Sequence, residues 1–110
     1  IDIADRRRLA VLGEMLELGD RARTAHLEVG DYLAAKGVDI IITFGHWGRL
    51  IARGAVRSGV SLSSVYHVSS KRQAIDLLQQ LIENGDTLLV KGSRGNQMEE
   101  IVQALIQEEK

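Results

Sequence analysis

Lys91-Gly-Ser-Arg-Gly95 brings two cations, a hydroxyl and two glycines into five residues. That composition suits an anionic group. Lys91 and Arg94 attract it, Ser93 can donate to it, and Gly95 lets main-chain N–H groups come close. Where such a loop leads into a helix, the free donors and the dipole of the first turn add to the attraction. The loop is not a P-loop, because no G-x-x-x-x-G-K-[ST] occurs in the chain. The plainer reading is an exposed basic turn in which Ser93 caps a helix. Gly92-Ser-Arg-Gly95 is also a bare GxxG, but a parallel βα setting argues against an RNA-binding KH module.

Gly13-Glu-Met-Leu-Glu-Leu-Gly19 places two carboxylates, Glu14 and Glu17, between glycines. They suit acid/base work or the holding of an amine, and equally a solvated helix start. The segment lacks G-x-G-x-x-G, which argues against a dinucleotide site. His26, His46 and His67 have no metal-ligand spacing. His26-Leu-Glu28 is half of a deaminase zinc signature, and the absence of cysteine removes that reading. His26 and His46 remain candidates for a cleft, beside the plainer role of packed or capping histidines. Trp47 next to His46 reads the same way, as a cleft wall or a helix-start residue.

The elements that must position these residues follow from the apolar pattern. Leu9–Leu12, Asp39–Phe44, Ser64–Val68 and Thr87–Val90 are short apolar runs, and three of them run into glycine at Gly13, Gly45 and Gly92. Runs apolar on both faces suit strands buried between two helix layers. Between them, Ala22, Ala25, Val29 and Leu33 mark a helix closed by Lys36-Gly37, and Leu50, Ile51 and Ala55 mark one stopping near Ser58-Gly59. Ala74, Leu77, Leu78, Leu81 and Ile82 form a third stripe ended by Asn84-Gly85-Asp86. Met98, Ile101, Val102, Leu105 and Ile106 form a fourth. Four βα units predict a Rossmann-like three-layer α/β sandwich, with a mainly parallel sheet of about four strands and helices on both faces. Strand order does not follow from the pattern. In such sheets ligands bind beyond the carboxyl ends of the strands, where the glycine-led loops lie.

The 110 residues suffice for one domain, and with 45% apolar residues the chain is not intrinsically disordered. A net charge of −1 gives no electrostatic footprint for nucleic acid or an anionic membrane. No run approaches the ~18 apolar residues of a membrane span, and no signal peptide is recognisable. Zero cysteines exclude disulfides and thiolate chemistry, and the expected compartment is cytoplasmic.

Three segments, taken in order, resemble the C-terminal domain of the Mur ligases. They are Arg8-Leu-Ala-Val-Leu-Gly-Glu-Met-Leu-Glu-Leu-Gly19, His26-Leu-Glu-Val-Gly30, and Gly85-Asp-Thr-Leu-Leu-Val-Lys-Gly-Ser-Arg-Gly95 with Met98-Glu-Glu100. Within that family the resemblance is to the members that add D-alanyl-D-alanine to a nucleotide-linked muramoyl tripeptide. It implies a peptidoglycan-precursor ligase using ATP and Mg²⁺, in which an acyl phosphate of the tripeptide is attacked by the dipeptide amine. It also implies two further domains, a central ATPase and one for the UDP substrate, with this domain closing over the site. On that resemblance Lys91, Ser93, Arg94 and Gly95 would hold substrate, with Glu14 and Glu17 opposite.

Glu14 stands where the family usually has aspartate, and Asn96 where an apolar residue is common. The family's domain opens with an asparagine–proline turn on the ATP side of the cleft, whereas this chain has no proline. The expectation is a domain over residues 9–110 shortened on its N-terminal side, with 1–8 a charged lead-in, the Arg6–Arg8 run solvated, and no ATP bound or activity shown by the chain alone. The competing expectation is a stand-alone, flavodoxin-like module that binds a small anion at the Lys91–Gly95 loop.

Overall fold

The computed structural model describes residues 7–16 and 18–91. The strands are β1 (Arg8–Leu12), β2 (Ile40–Phe44), β3 (Val65–Val68) and β4 (Thr87–Lys91); the helices are α1 (Ala22–Ala35), α2 (Gly48–Arg57) and α3 (Lys71–Leu81). Short 3-10 turns at Gly19–Arg21 and Leu62–Ser64 lead into α1 and β3. All strand pairs are parallel, in the order β3-β2-β1-β4. The fourth expected helix, at Met98–Ile106, lies outside the described residues.

Both faces of the sheet are covered, as the two-sided apolar runs require. Leu9 and Val11 of β1 and Ile42 and Phe44 of β2 pack on Ala74, Ile75 and Leu78 of α3. Their strand neighbours Ala10, Leu12 and Ile41 point the other way, onto Leu33 of α1 and Ile51 and Ala55 of α2. This is the three-layer sandwich expected. Among the described strands β1 and β2 are central and buried on both faces, whereas β4, at one end of the order, alternates between exposed and half-buried positions.

Local chemistry sets the element ends. Ser70 and Gln73 form a reciprocal capping box at the start of α3, the Ser70 hydroxyl accepting the Gln73 N–H and the Gln73 side chain accepting the Ser70 N–H. Gly85 adopts φ +91° between α3 and β4, a conformation open to glycine at no steric cost.

Helices α1 and α2 touch almost backbone to backbone. A Cβ on Gly30 would collide with the Ile51 carbonyl oxygen, and a Cβ on Gly54 with the Leu27 carbonyl oxygen. These two glycines bring the helices together over β1 and β2, and so fix the loops that precede them.

In the arginine run Arg8 is exposed, whereas Arg7 is partly buried. Arg8 is the first residue of β1, and its N–H donates to Asp39. Arg7 grips Asp86 with two donors, Nε at 3.1 Å and Nη2 at 2.7 Å, and its Nη2 also reaches the Leu81 carbonyl at the end of α3. The run therefore ties the start of β1 to the α3–β4 turn. The Asp86 side chain is only 5% exposed, and the Arg7 guanidinium holds its carboxyl below the usual range.

Candidate functional site

The chain winds outward from β1 in both directions. From β1 it proceeds to β2 and β3 on one side, with α1 and α2 on one face, and then crosses by α3 on the other face to β4 on β1's free side. The reversal point of the strand order lies between β1 and β4. In open α/β sheets the ligand crevice forms at the carboxyl ends of the strands at such a point.

Two of the singled-out segments leave the sheet there. Leu12 pairs with Lys91 in register, and the Gly13 N–H donates to the Lys91 carbonyl at 2.9 Å. Gly13-Glu14 thus departs from β1 beside Lys91, the last residue of β4, on strands about 5 Å apart. The structure places Lys91 at the end of β4, beside the strand β1 that leads into Glu14. Glu17, Ser93, Arg94 and Gly95 lie outside the described residues.

Glu14 is built into a second loop. Its Oε2 accepts the backbone N–H of Trp47 at 3.0 Å, at the first turn of α2, where no residue of the helix's own start supplies a side-chain cap. Gly45 allows this approach. It adopts φ +90°, and a Cβ there would lie 3.1 Å from the Glu14 carboxyl carbon. The carboxylate thus bridges the loops after β1 and β2, and holding a substrate ammonium would be a task added to that one.

His26 is not a cleft residue. It is fully buried, Nε2 accepts the Met15 N–H at 2.9 Å, and Nδ1 donates to the Ala22 carbonyl at 2.5 Å. Both ring nitrogens are consumed by backbone, which leaves none for a substrate and selects the Nδ1–H tautomer. Its ring stacks on Trp47 at 5.7 Å between centroids, and the exposed His46 meets Trp47 edge-on at 5.0 Å. Of the two cleft histidines expected, only His46 faces solvent.

The third histidine forms a pair that spacing alone does not announce. Nδ1 of His67 lies 2.9 Å from Oγ1 of the buried Thr43, across the register pair Thr43–His67 of β2 and β3. Burial, and then the positive charge of Arg49, push the His67 imidazole below its ordinary value and favour the neutral ring. Cross-strand register brings the two together, and no sequence motif marks it.

Beside the crevice, an apolar recess of about 580 Å³ runs between β4 and α1, over Leu12, Val29, Leu33 and Leu89, with Lys91 at its rim. Polar chemistry is confined to the rim. No group of three His, Cys, Asp or Glu residues among the described residues is placed to hold a metal ion.

The family model described as "Mur ligase, glutamate ligase domain" matches residues 2–94. The chain belongs to the Mur ligase family, as its C-terminal domain. This domain is 37% identical over 101 residues to UDP-N-acetylmuramoyl-tripeptide–D-alanyl-D-alanine ligase of Bacillus subtilis, covering 92% of this chain and 22% of that protein. It is also 37% identical over 100 residues to the enzyme of the same name from Escherichia coli, covering 89% of this chain and 21% of that one. Among solved structures it resembles MurF from Acinetobacter baumannii, with a TM-score of 0.77 and 26% identity over 92% of this chain and 22% of that one. The Mur ligase domain described here thus spans about a fifth of the length of the curated relatives it matches.

Proposed function

We propose that this domain serves an ATP-dependent ligase that adds D-alanyl-D-alanine to a UDP-linked muramoyl tripeptide, and that the β1–β4 crevice meets the incoming dipeptide. The observation that carries the reading is the 37% identity to the Bacillus subtilis ligase across nearly the whole chain. The geometry adds to it. Lys91 ends β4 in register with Leu12, two residues before Glu14, at the reversal point of the sheet, where ligands of such folds bind. Family membership favours this reading over a stand-alone anion-binding module.

Within it, the Lys91–Gly95 loop holds the dipeptide carboxylate, with Arg94 as a two-donor fork and Lys91 as a second cation. Glu14 and Glu17 face the ammonium end before it gives up its proton. ATP and Mg²⁺ supply the activation of the tripeptide carboxylate. They are assigned to the other domains of the full-length ligase, because this chain has no P-loop and its described residues form no metal cluster. The enzyme so assembled works in the cytoplasm on a soluble nucleotide-linked substrate.

A chimaera tests the reading. This chain replaces the matching segment of the Bacillus subtilis ligase, and phosphate release and amide formation are followed. Turnover that depends on D-alanyl-D-alanine is expected. A folded chimaera that binds ATP and tripeptide yet forms no amide with this dipeptide would overturn the assignment.

A further inference from the structure

From Ile40 to Ile75 the chain carries five cations and no carboxylate, so against an overall net charge of −1 the remaining residues carry −6. Arg57 pairs with Asp31 at 2.8 Å, and Arg72 faces Asp76 at 3.4 Å. Arg49 and Arg53, one turn apart on α2 and both exposed, have no carboxylate within ion-pair distance among the described residues.

These two arginines border a groove of about 440 Å³ between α2 and β3. Its two ends differ. Arg49 and His67 lie at the end where α2 begins, since Gly48 is in van der Waals reach of the His67 ring. Val56, Val65 and the 75% exposed Leu62 lie at the other. β3 is the outermost strand of the sheet, and its outer edge has no strand partner among the described residues.

A helix beside an open strand edge is the setting in which an extended peptide adds to a sheet. The backbone then supplies affinity, and alternate side chains supply specificity. Residues i and i+2 of such a strand face the same side. An antiparallel segment, the commoner pairing, passes the Arg49–Arg53 end first and the apolar end next. Carboxylates complement Arg49, whose Nε donates to the His46 carbonyl at 3.1 Å, and Arg53, and a β-branched side chain suits the apolar end.

We propose that the groove between α2 and the β3 edge binds an acidic segment of a partner polypeptide in extended form. One carboxylate is held by Arg49 and Arg53, and the apolar side chain two residues later packs on Val56, Leu62 and Val65. A single-stranded nucleic acid is less well matched, because no Phe, Tyr or Trp lines the groove to stack successive bases. A bilayer is less well matched because the surface is concave.

The test is a titration of the isotopically labelled 110-residue chain with the capped peptide Thr-Glu-Thr-Val-Thr, read from amide shifts. Saturable shifts at Leu62 and at Val65–Val68 are expected, with at least tenfold weaker binding of the Thr-Gln-Thr-Val-Thr control. Arg49→Glu with Arg53→Glu should weaken binding tenfold or more. Leu62→Asp, at an exposed position that leaves the fold intact, should do the same. Equal affinity for the two peptides would overturn the proposal, as would binding indifferent to all three substitutions. So would shifts in this groove with oligoadenylate or phosphatidylserine vesicles and none with the peptide. None of these outcomes depends on ligase activity, so the proposal stands or falls separately from the assignment above.

Discussion

The ring of His26, set in the first turns of α1, accepts the backbone N–H of Met15 at 2.9 Å and so holds the loop that carries Glu14. Because Nδ1 is spent on the Ala22 carbonyl, truncation to alanine takes a second partner from that carbonyl, leaves the part-buried Met15 N–H without its acceptor and opens a cavity beside Trp47. His26→Ala is expected to cost roughly 2–4 kcal/mol, from the lost hydrogen bonds and the cavity together. Urea unfolding followed by the fluorescence of Trp47, the sole tryptophan, checks this. A loss below about 0.5 kcal/mol would mean that the loop holds itself.

Glu14 carries its structural load through an acceptor oxygen. Glu14→Gln keeps an oxygen able to take the Trp47 N–H, whereas Glu14→Ala removes it. The alanine variant is expected to lose about 1–2 kcal/mol and the glutamine variant about half of that or less. Equal losses in denaturant titrations would assign the effect to charge instead.

Gly30 and Gly54 invert the usual helix rule. Alanine normally stabilises a helix interior by about 1 kcal/mol over glycine. Here each new methyl would meet backbone of the opposite helix, which cannot swing aside. Gly30→Ala and Gly54→Ala are each expected to destabilise by about 3 kcal/mol, visible as a lowered denaturation midpoint. An unchanged midpoint would mean that the helices can separate without loss.

The contrast between Gly30 and His26 shows what a sequence exposes. The α/β alternation, the helix over Ala22–Ala35 and the turn at Gly85 follow from local patterns of apolar period and glycine, so they were readable. The role of His26 depends on a carbonyl one turn back and an N–H in a loop eleven residues away, and no residue spacing encodes that pair. Arg7 reads as solvated because Asp86 is distant in the chain, and only the β1–β4 pairing brings them together. That pairing was illegible for a general reason: strands apolar on both faces carry no mark of their neighbours. The Glu14 and Lys91 segments could be singled out by composition, but that β1 and β4 are neighbours required the strand order.

Acid should reveal the two arginine-held carboxylates. Arg57, with Ser58, lowers Asp31 to about 2, and Arg7 lowers Asp86. Both groups bind protons more readily in the unfolded chain, so their contribution is complete above about pH 5 and is lost as pH falls through the folded values. Melting temperature should therefore drop between about pH 4 and pH 2. Asp86→Asn, which removes the buried partner of Arg7, should flatten that limb more than Asp31→Asn, whose pair is solvent-screened. A limb of unchanged slope in both variants would place the acid sensitivity elsewhere.

Arg94 offers the sharpest test of the crevice in the full-length ligase. The dipeptide must present a neutral amine to the activated carboxyl while its own carboxylate is anchored at a distance, and a guanidinium fork backed by main-chain donors suits that anchor. Arg94 follows β4 by three residues, and β4 ends in register with the residue before Gly13. Removing it takes away a charge-assisted contact of about 1.5–3 kcal/mol, so Arg94→Ala should lower kcat/KM for D-alanyl-D-alanine about 10- to 100-fold. On the proposed function, in which the contact is to the dipeptide, the KM for ATP should stay near its original value. Arg94→Lys should recover only part of the loss, since an ammonium restores charge but not the paired donors. Steady-state kinetics decide between substrates: a raised KM for ATP with an unchanged KM for the dipeptide would move Arg94 to the nucleotide side of the site.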